Sequence, residues 1–232
     1  GIAKGSGMIH PNMATLLVFL TTDVNISANL LEEAITEDVK NSFNMVSVDG
    51  DTSTNDMLSI MANGMANNII INEKDENYLT FTKALNCVTT KLCKLIAKDG
   101  EGATKLIECK VIEAIDNINA KIIAKSVITS SLFKAAMFGA DANWGRVLCA
   151  IGYSKADVDI NKIDVSFSSS KGTVDVCKNG SGIDFSEEIA KKVLLEDEIS
   201  VLINCNSGSG EACAWGCDLT YDYVKINGDY RT

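Results

Sequence analysis

Thr15 is the residue whose surroundings most suggest chemistry, because it follows Ala14 after a glycine-rich segment and opens an apolar run, 15–22. A threonine at a chain start carries a nucleophilic hydroxyl and a base in one residue. Its α-amine has a pKa of about 7.7–8, which suits a general base at neutral pH. A cut between Ala14 and Thr15 would therefore create an N-terminal nucleophile. By composition alone, the same residues also fit an ordinary loop that leads into a strand.

Other catalytic and binding patterns have weaker support in this sequence. His10 is its only histidine and has no nucleophile elbow near it, so a Ser-His-Asp or Cys-His mechanism is not favoured. The sequence lacks the glycine motifs of nucleotide-binding loops. Asp49 and Asp51 suggest a calcium loop, but an EF-hand needs glycine and glutamate where Thr54 and Ile60 stand. A capped turn is the simpler interpretation, and a functional acidic loop is the alternative.

The chain is acidic, since 21 lysine and arginine residues oppose 31 aspartates and glutamates for a net charge of −10. This charge repels nucleic acids and anionic lipids, so we expect no nucleic acid and no membrane as a partner. The sequence contains no apolar run of about 18 residues that would span a bilayer. Its first residues do not resemble a secretory signal. We therefore expect a cytoplasmic protein.

Eight cysteines occur without any C-x-x-C pair, in a chain long enough to fold without disulfides. We expect buried, reduced thiols and no metal site. A zinc site formed by Cys205, Cys213 and Cys217 is the alternative, but their spacing lacks the paired ligands typical of zinc. The cysteines are Cys87, Cys93, Cys109, Cys149, Cys177, Cys205, Cys213 and Cys217.

The elements that must position these residues alternate without the regular spacing of a doubly wound fold. Apolar periodicity and capping residues predict helices at 29–43, 56–62, 81–98, 120–137 and 186–195. Runs of strand formers predict strands at 15–22, 46–48, 104–114, 146–151, 162–168, 173–178, 199–205 and 211–226. The strand at 104–114 has apolar residues on both faces and is predicted to be central. The pattern indicates a layered α/β or α+β sandwich.

Six ordered motifs distributed over the whole chain resemble the glutamate N-acetyltransferase (ornithine acetyltransferase) family of arginine biosynthesis. They are KGSGMI at 4–9 with AT at 14–15, VDGDTSTND at 48–56, DGEGATK at 99–105, GADANWGR at 139–146, AWGCDLT at 214–220 and YVKINGDYRT at 223–232.

Members of this family are made as precursors that cut themselves at an Ala-Thr bond, and the new threonine is the nucleophile. The resemblance implies a cut between Ala14 and Thr15, with residues 1–14 ending an α chain and 15–232 forming a β chain. It implies the layered sandwich of the self-cleaving ornithine acetyltransferase and aminopeptidase superfamily. It also implies a set of substrate-binding residues, namely Lys4, Thr15, Glu101, Asn227 and Thr232.

The activity implied by the resemblance is ping-pong transfer of acetyl from N2-acetyl-L-ornithine to L-glutamate through an acetyl-Thr15 ester, giving L-ornithine and N-acetyl-L-glutamate. Bifunctional members also accept acetyl-CoA as a co-substrate; no bound cofactor is expected. The expected partner is the protein's own α chain, in a heterotetramer of two α and two β chains. That α chain would supply the oxyanion-hole residues.

Three other functions stay open from the residues themselves. One is a related self-cleaving amidohydrolase or aminopeptidase that releases its acyl group to water. The second is a noncatalytic binding module that uses the acidic loop 49–56. The third is a noncatalytic fragment that lacks its α partner.

Overall fold

A computed structural model describes residues 1–11 and 16–230 of the chain. Ala14, Thr15 and Thr232 therefore lie outside the described residues. The described residues form two β-sheets with helices packed against them, which agrees with the predicted mixed α/β class. No helix in the described ranges is both long and apolar enough to cross a bilayer.

The smaller sheet has three strands in the order β1-β2-β4. Strand β1 (Ile2–Lys4) runs antiparallel to β2 (Leu17–Thr22), and β4 (Met57–Ala62) runs parallel to β2. Because side chains alternate along a strand, Val18 and Leu20 point into the core while Phe19 faces outward. The strand predicted at 15–22 is thus β2, and it begins in the structure at Leu17.

The larger sheet has seven strands in the order β3-β10-β5-β9-β6-β7-β8. Its strands are β3 (Val46–Ser47), β5 (Leu106–Ala114), β6 (Asp164–Ser169), β7 (Gly172–Lys178), β8 (Ser181–Gly182), β9 (Glu198–Asn204) and β10 (Gly210–Cys217). Strand β5 lies between β10, which is antiparallel to it, and β9, which is parallel. The prediction of a central strand here is confirmed.

Seven α-helices in residues 1–11 and 16–230 surround the sheets. They are α1 (Ala28–Val39), α2 (Glu76–Lys98), α3 (Asn117–Thr129), α4 (Ser131–Phe138), α5 (Trp144–Gly152), α6 (Glu187–Leu194) and α7 (Tyr221–Asp229). Helix α3 packs against β5 and β10, and α2 packs against β5, β10 and β1. The buried side chains between these layers form the core. Helix α2 is the strongest helix by periodicity, and its N-terminus is capped by Asp75, which accepts the N–H of Tyr78 at 2.9 Å.

The helix predicted at 56–62 is wrong, because this stretch is strand β4. The spacing of its apolar residues fits both one face of a helix and one face of a strand, so the local pattern does not distinguish a helix from a strand. Pairing with β2, with Leu17 opposite Met57 and Leu20 opposite Ile60, determines the outcome.

The strand predicted at 146–151 is also wrong, because these residues lie in α5. The side-chain oxygen of Asn143 accepts the N–H of Arg146 at 3.1 Å and so caps this helix. The single helix predicted at 120–137 is two helices, α3 and α4. They are divided at Ser130, whose extended backbone ends α3 and whose hydroxyl accepts the N–H of Phe133.

The final predicted strand, 211–226, is correct only in its first half. Strand β10 ends at Cys217, and α7 begins after Thr220, whose hydroxyl accepts the N–H of Tyr223 at 3.2 Å. All eight cysteines are free thiols, as expected, but Cys87 and Cys149 are exposed and Cys213 is only partly buried.

Candidate active site

The turn between α2 and β5 carries Glu101 and is held firmly by Asp218 and Thr220. The buried carboxylate of Asp218 accepts the N–H groups of Thr104 and Lys105 at 2.8 and 2.9 Å. It also accepts the Thr104 hydroxyl at 2.5 Å. The hydroxyl of Thr220 donates to the carbonyl of Gly102 at 2.7 Å. These bonds fix the turn against the end of β10 and the start of α7.

Gly102 allows α7 to approach this turn closely. Its φ of +65° lies in the left-handed region that favours glycine. A Cβ atom added here would lie 2.5 Å from the backbone nitrogen of Tyr223. A side chain at this position would therefore push α7 away from Glu101.

Two of the predicted substrate-binding residues, Glu101 and Asn227, lie in direct contact. Nδ2 of Asn227 donates to Oε2 of Glu101 at 3.0 Å and to the carbonyl of Tyr223 at 3.1 Å. Oε1 of Glu101 accepts no hydrogen bond from any described residue. Glu101 is half-buried, so its carboxylate offers a partly desolvated negative charge at the surface of the site.

The glycine-rich segment packs against the Glu101 side of this pair. The N–H of Glu101 donates to the carbonyl of Ser6 at 2.9 Å. A Cβ atom on Gly7 would lie 2.5 Å from the Glu101 carboxyl group. Because Gly7 has no side chain, the carboxylate rests against the main chain of the segment that leads toward Thr15.

The loop 48–57 also holds this segment, through hydrogen bonds to Met8 and Ile9. The Asp49 carboxylate accepts the N–H groups of Met8 and Ile9 at 2.7 and 3.0 Å. The Tyr223 hydroxyl donates to Asp49 at 3.4 Å. Burial, and then the nearby Asp49 charge, raises the pKa of Tyr223 to about 12, so the phenol stays protonated. Asp49 also accepts the N–H of Asp51 at 3.3 Å, which is the local bond that the capped-turn interpretation predicts.

The whole chain, residues 1–232, matches the family model described as the ArgJ family. The chain belongs to the ArgJ family. It is 58% identical over 231 residues to the arginine biosynthesis bifunctional protein ArgJ 1 of Clostridium acetobutylicum, covering all of this chain and 57% of that relative. It is 54% identical over 232 residues to the corresponding protein of Caldanaerobacter subterraneus, covering 58% of it.

The crystal structure of the arginine biosynthesis bifunctional protein ArgJ from Bacillus halodurans superimposes on this chain with a TM-score of 0.88 at 45% identity. The match covers 93% of this chain and all of that chain, which confirms the predicted fold class. The present ArgJ-family chain spans about 57% of the length of the curated relatives that it matches.

Lys4 lies two residues before Ser6, whose carbonyl accepts the N–H of Glu101. It ends β1 and lines a cavity of about 770 Å³ between that strand and the C-terminal half of α2, together with Leu95 and Asp99. No hydrogen bond or ion pair in the described part of the chain joins Lys4 to Glu101 or Asn227. Its role in substrate binding stays a prediction.

His10 occupies a half-buried position and its Nδ1 lies 3.1 Å from the hydroxyl of Ser47. Burial, reinforced by the Lys125 ammonium and opposed by Asp49 and Asp51, lowers the pKa of His10 to about 4. The imidazole is therefore neutral at pH 7. Its environment supports the interpretation of a structural histidine.

The structure identifies three positioning residues that the sequence reasoning missed: Asp218, Thr220 and Tyr223. Each lies inside a motif that carries the family resemblance, but none forms a chemical pattern with its sequence neighbours. Their partners are the turn 99–105 and Asp49, which are distant along the chain. Among residues 1–11 and 16–230, no three His, Cys, Asp or Glu side chains are grouped to hold a metal ion.

Proposed function

We propose that the protein containing this chain transfers an acetyl group from N2-acetyl-L-ornithine to L-glutamate, with Thr15 as nucleophile. Membership of the ArgJ family supports this proposal, because the relatives carry the name arginine biosynthesis bifunctional protein. The observation that carries it is the Glu101–Asn227 pair, which rests against the glycine-rich segment that precedes Thr15.

Maturation comes first in this mechanism. The Thr15 hydroxyl attacks the carbonyl carbon of Ala14, and the acyl group moves from nitrogen to oxygen. Water then hydrolyses the ester, which leaves a carboxylate on Ala14 and a free amine and hydroxyl on Thr15. This sequence of steps supplies the N-terminal nucleophile that the chemistry needs.

Acetyl transfer then follows in two half-reactions. The Thr15 amine accepts the hydroxyl proton as the oxygen attacks the acetyl carbonyl of N-acetylornithine. The amide bond breaks, ornithine leaves with that proton on its amine, and an acetyl ester remains on Thr15. The amine of glutamate attacks the ester, gives its proton back to the Thr15 oxygen, and leaves as N-acetylglutamate. Each oxyanion-hole donor would contribute about 3–4 kcal/mol to these steps.

The proposed substrate contacts divide by charge. The Glu101 carboxylate suits the side-chain ammonium of ornithine, because a partly desolvated charge strengthens the interaction. Asn227 and Thr232 offer neutral hydrogen bonds to the amino-acid head group. Lys4 offers a positive charge to a substrate carboxylate. Acetyl-CoA as a second acetyl donor is part of the same proposal.

A second polypeptide segment is part of the proposal. The outer face of the small sheet exposes large apolar side chains, namely Ile2, Phe19, Met57 and Met61. Exposed apolar patches on sheets commonly mark contact surfaces. The relatives contain additional chain, since this chain covers 57% of their length. We propose that the corresponding segment, the α portion, covers this face, and that two copies of each portion assemble into the active protein.

The decisive experiment compares the full-length protein with its Thr15→Ala, Thr15→Ser and Thr80→Ala variants. Intact-mass measurement reports the cut, and a labelled acetyl group reports transfer from N-acetylornithine to glutamate. We expect Thr15→Ala to abolish both, Thr15→Ser to retain part of each, and the exposed control Thr80→Ala to behave like wild type. Normal acetyl transfer by Thr15→Ala would refute the proposal, and release of acetate in place of acetylglutamate would favour an amidohydrolase.

A further inference from the structure

One loop, 48–57, holds the chain on both sides of segment 12–15. On the upstream side, Asp49 accepts the amides of Met8 and Ile9, and the amide of Val48 donates to the Ile9 carbonyl at 2.7 Å. The Thr52 hydroxyl donates to the His10 carbonyl at 2.9 Å. All of these contacts are made to main-chain atoms of the segment.

On the downstream side, the same loop holds Leu16 through both of its main-chain groups. The Asp56 carboxylate accepts the N–H of Leu16. The amide of the next residue, Met57, donates to the Leu16 carbonyl at 2.7 Å. Leu16 itself is buried, so this contact is made at the edge of the core. Hydrogen bonds to a charged acceptor in such surroundings are among the stronger ones in proteins.

The loop is itself anchored to the core at its start. The buried ammonium of Lys134 donates to the carbonyl of Val48 at 2.5 Å and lies 3.5 Å from the sulfur of Cys217. Inside the loop, the Ser53 hydroxyl donates to Oδ1 of Asn55 at 2.8 Å. The carboxylates of Asp49 and Asp56 therefore project from a braced loop.

We propose that Asp56 is a positioning residue for Thr15, acting through the Leu16 amide. This inference rests on the proposed function of Thr15 as nucleophile. The Leu16 N–H belongs to the peptide bond that joins Leu16 to residue 15, and resonance holds the atoms of a peptide bond close to one plane. Fixing the direction of this N–H therefore restrains the orientation of the residue before it.

The need for such a restraint follows from the proposed cut. A new chain start loses the covalent connection on its upstream side, and chain ends are mobile unless they are tied down. A catalytic group displaced by about 1 Å loses roughly 100-fold in rate. Asp56 supplies the restraint on the side that stays attached to Thr15. After the cut, no peptide bond connects the upstream segment to Thr15. Asp49 then holds that segment, which carries Lys4, through the amides of Met8 and Ile9.

The test uses the full-length protein with the substitutions Asp56→Ala, Asp56→Asn and Asp51→Ala. Asp51 is the matched control, an exposed aspartate on the same loop whose carboxylate accepts no hydrogen bond from a described residue. We expect Asp56→Ala to lower kcat for acetyl transfer by about 10- to 100-fold with a smaller change in KM. Asp56→Asn keeps an acceptor oxygen and should recover part of kcat, and Asp51→Ala should match wild type.

The backbone amide of Leu16 gives a second readout that does not depend on folding of the alanine variant. In protein labelled with ¹⁵N-leucine, its proton should resonate downfield in wild type and move upfield in Asp56→Asn, because a neutral acceptor replaces a charged one. Equal kcat in Asp56→Ala and wild type, or an unmoved Leu16 signal in Asp56→Asn, would overturn the role of Asp56. Absence of acetyl transfer by the wild type would refute the proposed function instead. In that case, the Leu16 signal and the rate of cleavage between Ala14 and Thr15 would still decide the role of Asp56.

Discussion

Nδ2 of Asn227 lies 3.0 Å from Oε2 of Glu101, although the two residues are 126 positions apart in the chain. The contact joins the turn after α2 to the last helix of the described chain. It leaves the other carboxylate oxygen of Glu101 without a hydrogen bond from described residues, and so available to a cationic ligand.

This oxygen, which accepts no hydrogen bond from a described residue, leads to a prediction for Glu101→Gln in the full-length protein. The amide would still contact Asn227 but would lose the negative charge, so KM for N-acetylornithine should rise about 10- to 100-fold, as for loss of a charged hydrogen bond. Steady-state kinetics with varied N-acetylornithine measures the effect. Glu187→Gln, an exposed change on α6, is the control. An unaltered KM in Glu101→Gln would contradict an ammonium-binding role.

The close approach at Gly102 predicts a stability defect. Gly102→Ala forces a side chain into a left-handed backbone position and against the Tyr223 amide, so we expect a loss of about 1–3 kcal/mol in the free energy of unfolding. Denaturant unfolding measures this loss. Gly152→Ala is the matched control, since an added Cβ there meets no atom within 4 Å. The prediction fails if the two variants are equally stable.

The lowered pKa of His10 predicts that the folded protein becomes less stable in acid. Its folded pKa of about 4 lies below the ordinary value of 6.5, so the unfolded chain binds the additional proton between these values. Its contribution to stability is complete above pH 6.5 and is lost as the pH falls toward 4. Wild type should therefore lose more stability than His10→Gln between pH 7 and pH 4.5, as measured by urea midpoints. An imidazole that titrates near 6.5 by NMR would disprove this account.

The exposed apolar face of the small sheet leads to a prediction for the proposed α portion. Met61→Lys places a charge opposite Thr21 on this face, so burial against another segment would become unfavourable. Because β1 still joins the two portions after cleavage, we expect them to separate at a lower urea concentration than in wild type, as followed by size-exclusion chromatography of the cleaved full-length protein. Ile189→Lys on α6 is a control with similar exposure. Separation of Met61→Lys at the wild-type urea concentration would show that this face is not the contact surface.

The secondary structure is predictable from sequence where periodicity is long. Helix α2 extends over 23 residues, so several turns repeat the same pattern. Helix α5 is short, and its contiguous apolar residues fit a buried strand equally well. Strand β4 forms because it pairs with β2, a contact between residues about 40 positions apart. Local sequence carries no signal for that pairing.

The candidate site is likewise predictable from sequence only in part. Glu101 and Asn227 are predicted by the family resemblance, and the structure brings them together. The reasons for their proximity are the close approach at Gly102 and the three bonds accepted by Asp218. These depend on backbone geometry and on long-range contacts, which residue types alone do not reveal.

Strand β1 lies before segment 12–15 and β2 after it, yet the two are antiparallel neighbours, with Ile2 opposite Phe19 and Lys4 opposite Leu17. A break in the chain between them would therefore sever a covalent bond without separating its ends into independent molecules. Strand β1 would remain hydrogen-bonded to β2 although the two would no longer be covalently connected. Dilution alone should not dissociate such a nicked protein, because separation would require melting part of the sheet.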